Sequence, residues 1–308
     1  MKRFTAFASL AALALAPALG SCTAMTDRHD CYSKSRVALP TPDKVRAHLS
    51  NGEAGRRVYD AVVAGDMAEV ERLVRADPRL LSTNRVLPPG ERPSNGNVGD
   101  LLSFAIAGCD GAMAAALLEL GADPDGTPRG LPLTLAVLAD DPTIARMLLQ
   151  AGADADAVAD GGSTALKEAL YFERADAVAL LLRGGADPNR TDAVGGTPLE
   201  AALLFADYAS ARELLRAGAN PWQVANKGTL PARLLVDPVK EGGDEALRRQ
   251  LLAAVQDGAP IWPPPAESEV RRRVLANEWP DAAMRAAGFT VTPEALASIR
   301  RAEASARP

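Results

Sequence analysis

The triplet Gly-Ala-Asp recurs along this chain at a nearly fixed spacing. It stands at Gly121-Ala122-Asp123, Gly152-Ala153-Asp154 and Gly185-Ala186-Asp187, then returns with a changed last letter at Gly218-Ala219-Asn220. The steps are 31, 33 and 33 residues. A second word keeps time with it: Pro132-Leu133, Ala165-Leu166 and Pro198-Leu199 follow one another at intervals of 33 residues. A period in the low thirties marks a solenoid, in which each short unit buries its apolar face on the next. Such a chain has a ribbon of core in place of one globule, and it works by presenting a surface.

One unit shows the local physics. In residues 163–189, Leu166, Ala169 and Leu170 fall at helical spacing, as do Ala177, Leu180 and Leu181. The polar stretch from Glu173 to Asp176 divides them into two short helices. Thr164, like Thr197 one unit later, is placed to cap the first helix. Pro198 suits a first helical position, where its missing N–H bonds nothing. Gly184-Gly185 ends the second helix, because glycine takes the left-handed cap conformation without steric cost. Asp187 to Gly196 then holds turn formers and suits an extended finger.

This pattern resembles the ankyrin repeat. The best match runs from Gly196-Thr197-Pro198-Leu199-Glu200-Ala201-Ala202 to Leu214-Leu215-Arg216-Ala217-Gly218-Ala219-Asn220. Where the family usually has a histidine after Thr-Pro-Leu, this chain has Thr134, Lys167 and Glu200, so the family's bonding around that histidine does not carry over. The resemblance implies an all-α solenoid of about six helix-turn-helix units with hairpin fingers.

The expected organisation is a signal segment over residues 1–21, a tether over 22–55, the repeat array over 56–262, and a C-terminal helical extension over 263–308. A first, divergent unit begins near Tyr59, and a sixth, stretched one spans Gly228 to Leu252 with an insertion near Asp237 to Asp244. Residues 84–97 hold three prolines and two glycines without periodicity and read as an inserted loop. In the extension, Glu267 to Asn277 reads as a helix, Thr292-Pro293-Glu294 opens another, and Trp279 and Phe289 are expected to pack the tail on the last repeat.

At the N-terminus, Lys2 and Arg3 precede an apolar run from Phe4 to Leu19, then Gly20-Ser21-Cys22. The run is short, alanine-rich and ends in small residues, as a secretory signal does. Leu19-Gly20-Ser21-Cys22 resembles the bacterial lipobox, which implies cleavage before Cys22 and acylation of that cysteine. The alternative is ordinary cleavage near Ala16-Pro17-Ala18 or after Ala24, giving a soluble periplasmic protein. Acyl chains would anchor the protein firmly, at about 0.8 kcal/mol per buried CH₂. Thr23, and not an aspartate, would follow the cysteine. By resemblance to known sorting rules this implies the outer membrane, facing the periplasm.

Losing Lys2 and Arg3 takes the formal charge from −5 to −7. The array is mildly acidic and lacks a basic stripe, which argues against nucleic acid; Arg271-Arg272-Arg273 reads as a solvated helix face. The only histidines, His29 and His48, both precede the repeats, so a nucleophile-histidine site would have to borrow one from the tether. No zinc, phosphate-loop or complete calcium motif is present. No catalytic residue, metal or cofactor is expected. Cys31 and Cys109 are a candidate disulfide, or else two separate thiols with Cys109 half-buried.

Binding is the remaining chemistry. Ankyrin arrays, by family resemblance, bind proteins with finger tips and inner helices. That maps the candidate surface to Arg129, Asp160, Arg190, Asp192, Trp222 and Lys227 on fingers, and to Tyr171, Phe172, Leu204 and Phe205 at helix ends. Aromatics are only 4% of the chain, which gives Tyr171, Phe172, Phe205 and Trp222 weight as anchors. The alternative is that one ring of each pair packs between helices. The expected role is non-catalytic capture of a periplasmic protein, for toxin immunity or protection of a secreted enzyme, with membrane contact through the lipid anchor only. A scaffold whose tail binds peptidoglycan or an envelope complex is the alternative.

Overall fold

The structure is a computed structural model that describes residues 42–86, 99–127, 131–159, 163–240 and 242–305. In chain order the helices are α1 (Pro42–Arg46), α2 (Gly52–Ala64), α3 (Met67–Ala76), α4 (Leu101–Ala107), α5 (Gly111–Glu119), α6 (Leu131–Leu138) and α7 (Pro142–Gln150). The strands β1 (Val158–Ala159) and β2 (Ser163–Thr164) follow, then α8 (Ala165–Tyr171), α9 (Ala175–Arg183), α10 (Pro198–Leu204) and α11 (Tyr208–Arg216). Strand β3 (Gln223–Val224) precedes α12 (Pro231–Val236) and α13 (Glu245–Asp257). The tail adds α14 (Glu267–Leu275), α15 (Ala282–Ala286), β4 (Thr290–Val291) and α16 (Pro293–Ser305).

Helices α2 to α13 form six consecutive pairs. The first helices stack as one row, α2, α4, α6, α8, α10 and α12, and the second helices from α5 to α13 stack as another. Between the rows runs one continuous apolar core that extends from Val45 to Ile299. Alanine and leucine dominate it, which lets short helices approach closely.

The repeated words have specific mechanical jobs. Thr164 and Thr197 cap α8 and α10, each accepting the backbone N–H three residues on; Asp100 does the same for α4. The glycine of each Gly-Ala-Asp word sits at φ +94°, +96°, +98° and +94° at positions 121, 152, 185 and 218. There a side chain would be strained, so glycine closes every second helix. The fingers are tied by a ladder of side chains. Asp125 accepts the backbone N–H of Asp154 at 2.7 Å, Asp156 that of Asp187 at 3.0 Å, and Asn189 that of Asn220 at 2.6 Å. Each unit therefore holds the next through the word that defines the period. Among the described residues one finger forms a hairpin, with β1 and β2 antiparallel.

The order begins earlier than the expected tether boundary. Val45 of α1 is buried in the core and α2 starts at Gly52, so residues 42–55 belong to the array's end. A helix of five residues is too short to show periodicity. Most of the expected inserted loop lies outside the described residues, but its ends meet: Asn84 bridges Asp100, and Arg85 N–H donates to the Gly99 carbonyl.

The tail does more than close the last repeat. It returns along the fingers of the fifth and sixth units. β4 pairs in parallel with β3, Gln223 opposite Thr290 and Val224 opposite Val291. α14 and α16 pack on the 3₁₀ turn Asn226–Gly228. Ser298 Oγ accepts the Lys227 N–H at 3.2 Å, and Asn220 Nδ2 donates to the Gly288 carbonyl at 2.6 Å. Phe289 lies between Trp222 and Trp279, with ring centroids 5.1 and 5.2 Å away. Trp279 and Phe289 thus pack the tail on the last repeat as the sequence suggested, with Trp222 as their floor.

Candidate protein-binding groove

A cavity of about 670 Å³ lies between the C-terminal ends of α8 and α10 and the finger around residues 187–197. Seven large apolar side chains are exposed among the described residues: Met67, Val86, Val158, Tyr171, Val194, Leu204 and Val239. Four of them, Val158, Tyr171, Val194 and Leu204, line this one cavity together with Phe205. Apolar surface is therefore concentrated in one concave place, which is the usual mark of a binding site. Tyr171 is 62% exposed. Its ring meets Phe172 and Phe205 edge to face, at centroid distances of 5.2 and 5.8 Å, an arrangement that fixes ring orientation while leaving a face open.

Two of the three positions where the histidine of the family is replaced, Lys167 and Glu200, join finger residues in the polar part of the cavity. Lys167 forms an ion pair with Asp192 on the finger. The other oxygen of Asp192 accepts the backbone N–H groups of Val194 and Gly196, both at 2.8 Å, and so shapes the finger turn. Burial pushes the Asp192 carboxyl up, but the Lys167 ammonium and these backbone donors outweigh it and hold the group below its ordinary value. Glu200 is only 6% exposed. Burial pushes its carboxyl up to about 8, helped by the nearby Asp192 charge and opposed by hydrogen bonds from Asn226, Thr197 and Thr229. Glu294, at the start of α16, completes the wall and accepts from the Thr191 hydroxyl at 3.3 Å.

The structure divides the residues expected from sequence. Tyr171, Phe205 and Arg190 line the cavity, with Asp192 and Leu204. Phe172 is half-buried and packs against the core, so within that pair one ring does go between helices. Trp222 is a correction: at 6% exposure it is not groove surface, because the tail covers it with Phe289. Lys227 keeps an exposed side chain but does not line the cavity; its neighbour Asn226 does, and α16 packs on the same turn. Arg129 and Asp160 lie outside the described residues, as do Cys22 and Cys31. Cys109 is disulfide-bonded. Among the described residues no group of three or more His, Cys, Asp or Glu side chains is placed to hold a metal ion, and no helix is long and apolar enough to cross a membrane. Sequence reasoning missed Val158, Val194, Glu200 and Glu294. For Glu200 the signal was present, as an acidic residue at an inward-facing position.

The family profile described as "Ankyrin repeats (3 copies)" matches residues 102–192 and 133–225. Residues 102–225, which include α8, α10 and their fingers, are therefore ankyrin repeats, and the six helix pairs form an ankyrin-type solenoid. Ankyrin repeats are protein–protein interaction modules and are generally non-catalytic, so this chain carries a module for protein binding. Among solved structures the chain is similar to the ankyrin repeat domain of Bcl-3, described as a unique member of the IkappaB protein family. The identity is 26%, the TM-score 0.48, and the match covers 62% of this chain and 87% of that one. No curated protein matches the sequence.

Proposed function

We propose that this chain is an envelope-anchored ankyrin protein that captures a periplasmic protein in the groove around Tyr171, Leu204 and Phe205. It catalyses no reaction and serves either as an immunity protein that masks a toxin or as a protector of a secreted enzyme. The observation that carries the reading is the gathering of four of the seven large apolar side chains exposed among the described residues in one cavity of an interaction module. Anchoring rests on the lipobox-like Leu19-Gly20-Ser21-Cys22. With Cys22 acylated, Cys31 is the cysteine left to bridge Cys109. Packing of the tail along the array, with Val270, Val274, Phe289 and Ile299 all buried, favours capture in the groove over a scaffold whose tail is a separate envelope-binding module.

Two measurements test the reading. A photo-crosslinking amino acid at Leu204 in cells should trap a protein, while the same probe at Arg183, exposed on α9, should not. The Tyr171→Ala, Phe205→Ala double variant should weaken that capture by at least about 30-fold, since truncated interface aromatics each cost about 2 kcal/mol or more. Equal trapping from both sites, or none, would sink the groove. Cys22→Ala should release the protein from membranes or block its processing; unchanged membrane association would refute the anchor.

A further inference from the structure

We propose that the groove takes a basic side chain of its partner, an arginine first of all, laid on the open face of Tyr171 with its guanidinium directed at the carboxyls of Asp192, Glu200 and Glu294. This inference rests on the groove reading above and names the chemistry of the anchor.

The cavity is apolar in its middle and unbalanced in charge at its wall. Three carboxylates line it, Asp187, Asp192 and Glu294, together with the protonated Glu200, against two cations, Lys167 and Arg190. Lys167 is already paired with Asp192, and Arg190 stands exposed on the finger. A purely apolar partner would strip water from the acidic wall and return nothing, which is costly for charges that lose their solvent. An acidic partner would add to the repulsion. A cation answers both, and complementary charge is what selects one partner over others at such a surface.

The geometry favours arginine over lysine. The Tyr171 ring is braced edge to face by Phe172 and Phe205 and remains 62% exposed. A planar guanidinium stacks on such a face and still offers donors in its plane to carboxyl oxygens, whereas an ammonium is a compact, strongly hydrated charge. Glu200 suits this role because burial keeps it protonated near neutral pH while the cavity is empty. It avoids a buried charge until a cation arrives to stabilise one.

The test uses the mature full chain and three synthetic peptides, acetyl-Leu-X-Leu-amide, in which X is arginine, citrulline or glutamate. Citrulline has the shape of arginine without the charge. Resonances of the Tyr171 ring, followed by NMR during titration, should shift saturably with the arginine peptide. The citrulline peptide should bind at least about tenfold more weakly, and the glutamate peptide more weakly still. Glu294→Gln, which keeps an acceptor for Thr191, should reduce the preference for arginine over citrulline by about threefold or more. Equal binding of the arginine and citrulline peptides, or no saturable shift with either, overturns the inference. If that happens while crosslinking at Leu204 persists, the groove reading stands and only the basic anchor falls. If both are lost, both fall.

Discussion

Two aromatic sites lie on this array, one at the ends of first helices and one on a finger, and they have opposite fates. Around Tyr171 and Phe205 the ring faces stay open, and the groove floor is left for something outside the chain. Around Trp222 the chain supplies its own occupant: Phe289 covers the indole, β4 extends β3, and α16 settles on the next turn. Both begin with the same repeat architecture. What separates them is their place in the repeat and whether a segment of the protein returns to fill it. The closed site shows how this scaffold receives an extended segment. It offers backbone pairing on a finger and an aromatic floor beneath, the general manner in which sheet edges take up peptides. The open site offers the same kind of aromatic floor, with an acidic wall added.

The comparison predicts a large difference in stability. Phe289→Ala should cost about 3–5 kcal/mol, the usual range for emptying a buried aromatic position. Tyr171→Ala should change stability by less than about 1 kcal/mol, since most of its ring faces solvent. Chemical denaturation of both variants checks this, and similar losses would mean that Tyr171 belongs to the core. A second expectation concerns Glu200. Its folded carboxyl titrates at about 8 against an ordinary 4.5, so the native state keeps a proton that the unfolded chain has released. Stability is then full below about pH 4.5 and falls as pH rises toward 8, at up to about 1.4 kcal/mol per pH unit. Glu200→Gln should flatten that slope in denaturation series at pH 5, 6.5 and 8, and parallel wild-type and variant curves would contradict it.

A smaller effect is expected where the open and closed regions meet. Gly195 has φ +85°, and a Cβ there would lie 2.5 Å from the Cα of Ala295 in α16. Gly195→Ala should therefore cost about 2 kcal/mol, from left-handed strain and from displacing the helix start. Faster proteolysis of the tail would report it, and wild-type resistance would show that α16 yields without cost. The smallest change should be a gain. Glu173 holds φ +56° at the turn between α8 and α9, a conformation that strains most side chains. Glu173→Gly should raise stability by about 0.5–1 kcal/mol, the strain relieved less the added unfolded-state entropy, as a higher melting temperature. An unchanged or lower one would count against strain at this turn.

The repeats were legible because their signals are local. A threonine cap, a left-handed glycine and apolar residues at helical spacing each act within one unit, so Thr164, Thr197 and Gly185 can be read where they stand. The groove was legible in part for the same reason: Tyr171 and Phe205 end consecutive first helices. Trp222 was not, because its exposure depends on Phe289, 67 residues away in sequence, and no local pattern announces that contact. Glu294 joins the cavity through the same return of the tail. Position α1 escaped notice because Val45 is the only buried side chain described in that short segment.

The ladder of finger side chains has a consequence for how long this protein can be. Asp125, Asp156 and Asn189 each hand the pattern forward to the next unit, and every rung resembles the one before. The array behaves like a growing polymer whose end is always competent to add another monomer. The ladder, though not the array, stops after Asn220: the next acceptor place is taken by Trp222, which has no side-chain oxygen, and the Asn220 amide donates to Gly288 of the tail while a sixth helix pair still follows. The tail thus takes over the bonding of the fingers where the ladder runs out. A duplicated repeat inserted between Gly152 and Gly185 meets matching neighbours on both sides, whereas one inserted after Asn220 finds no ladder acceptor and must displace the tail from the finger.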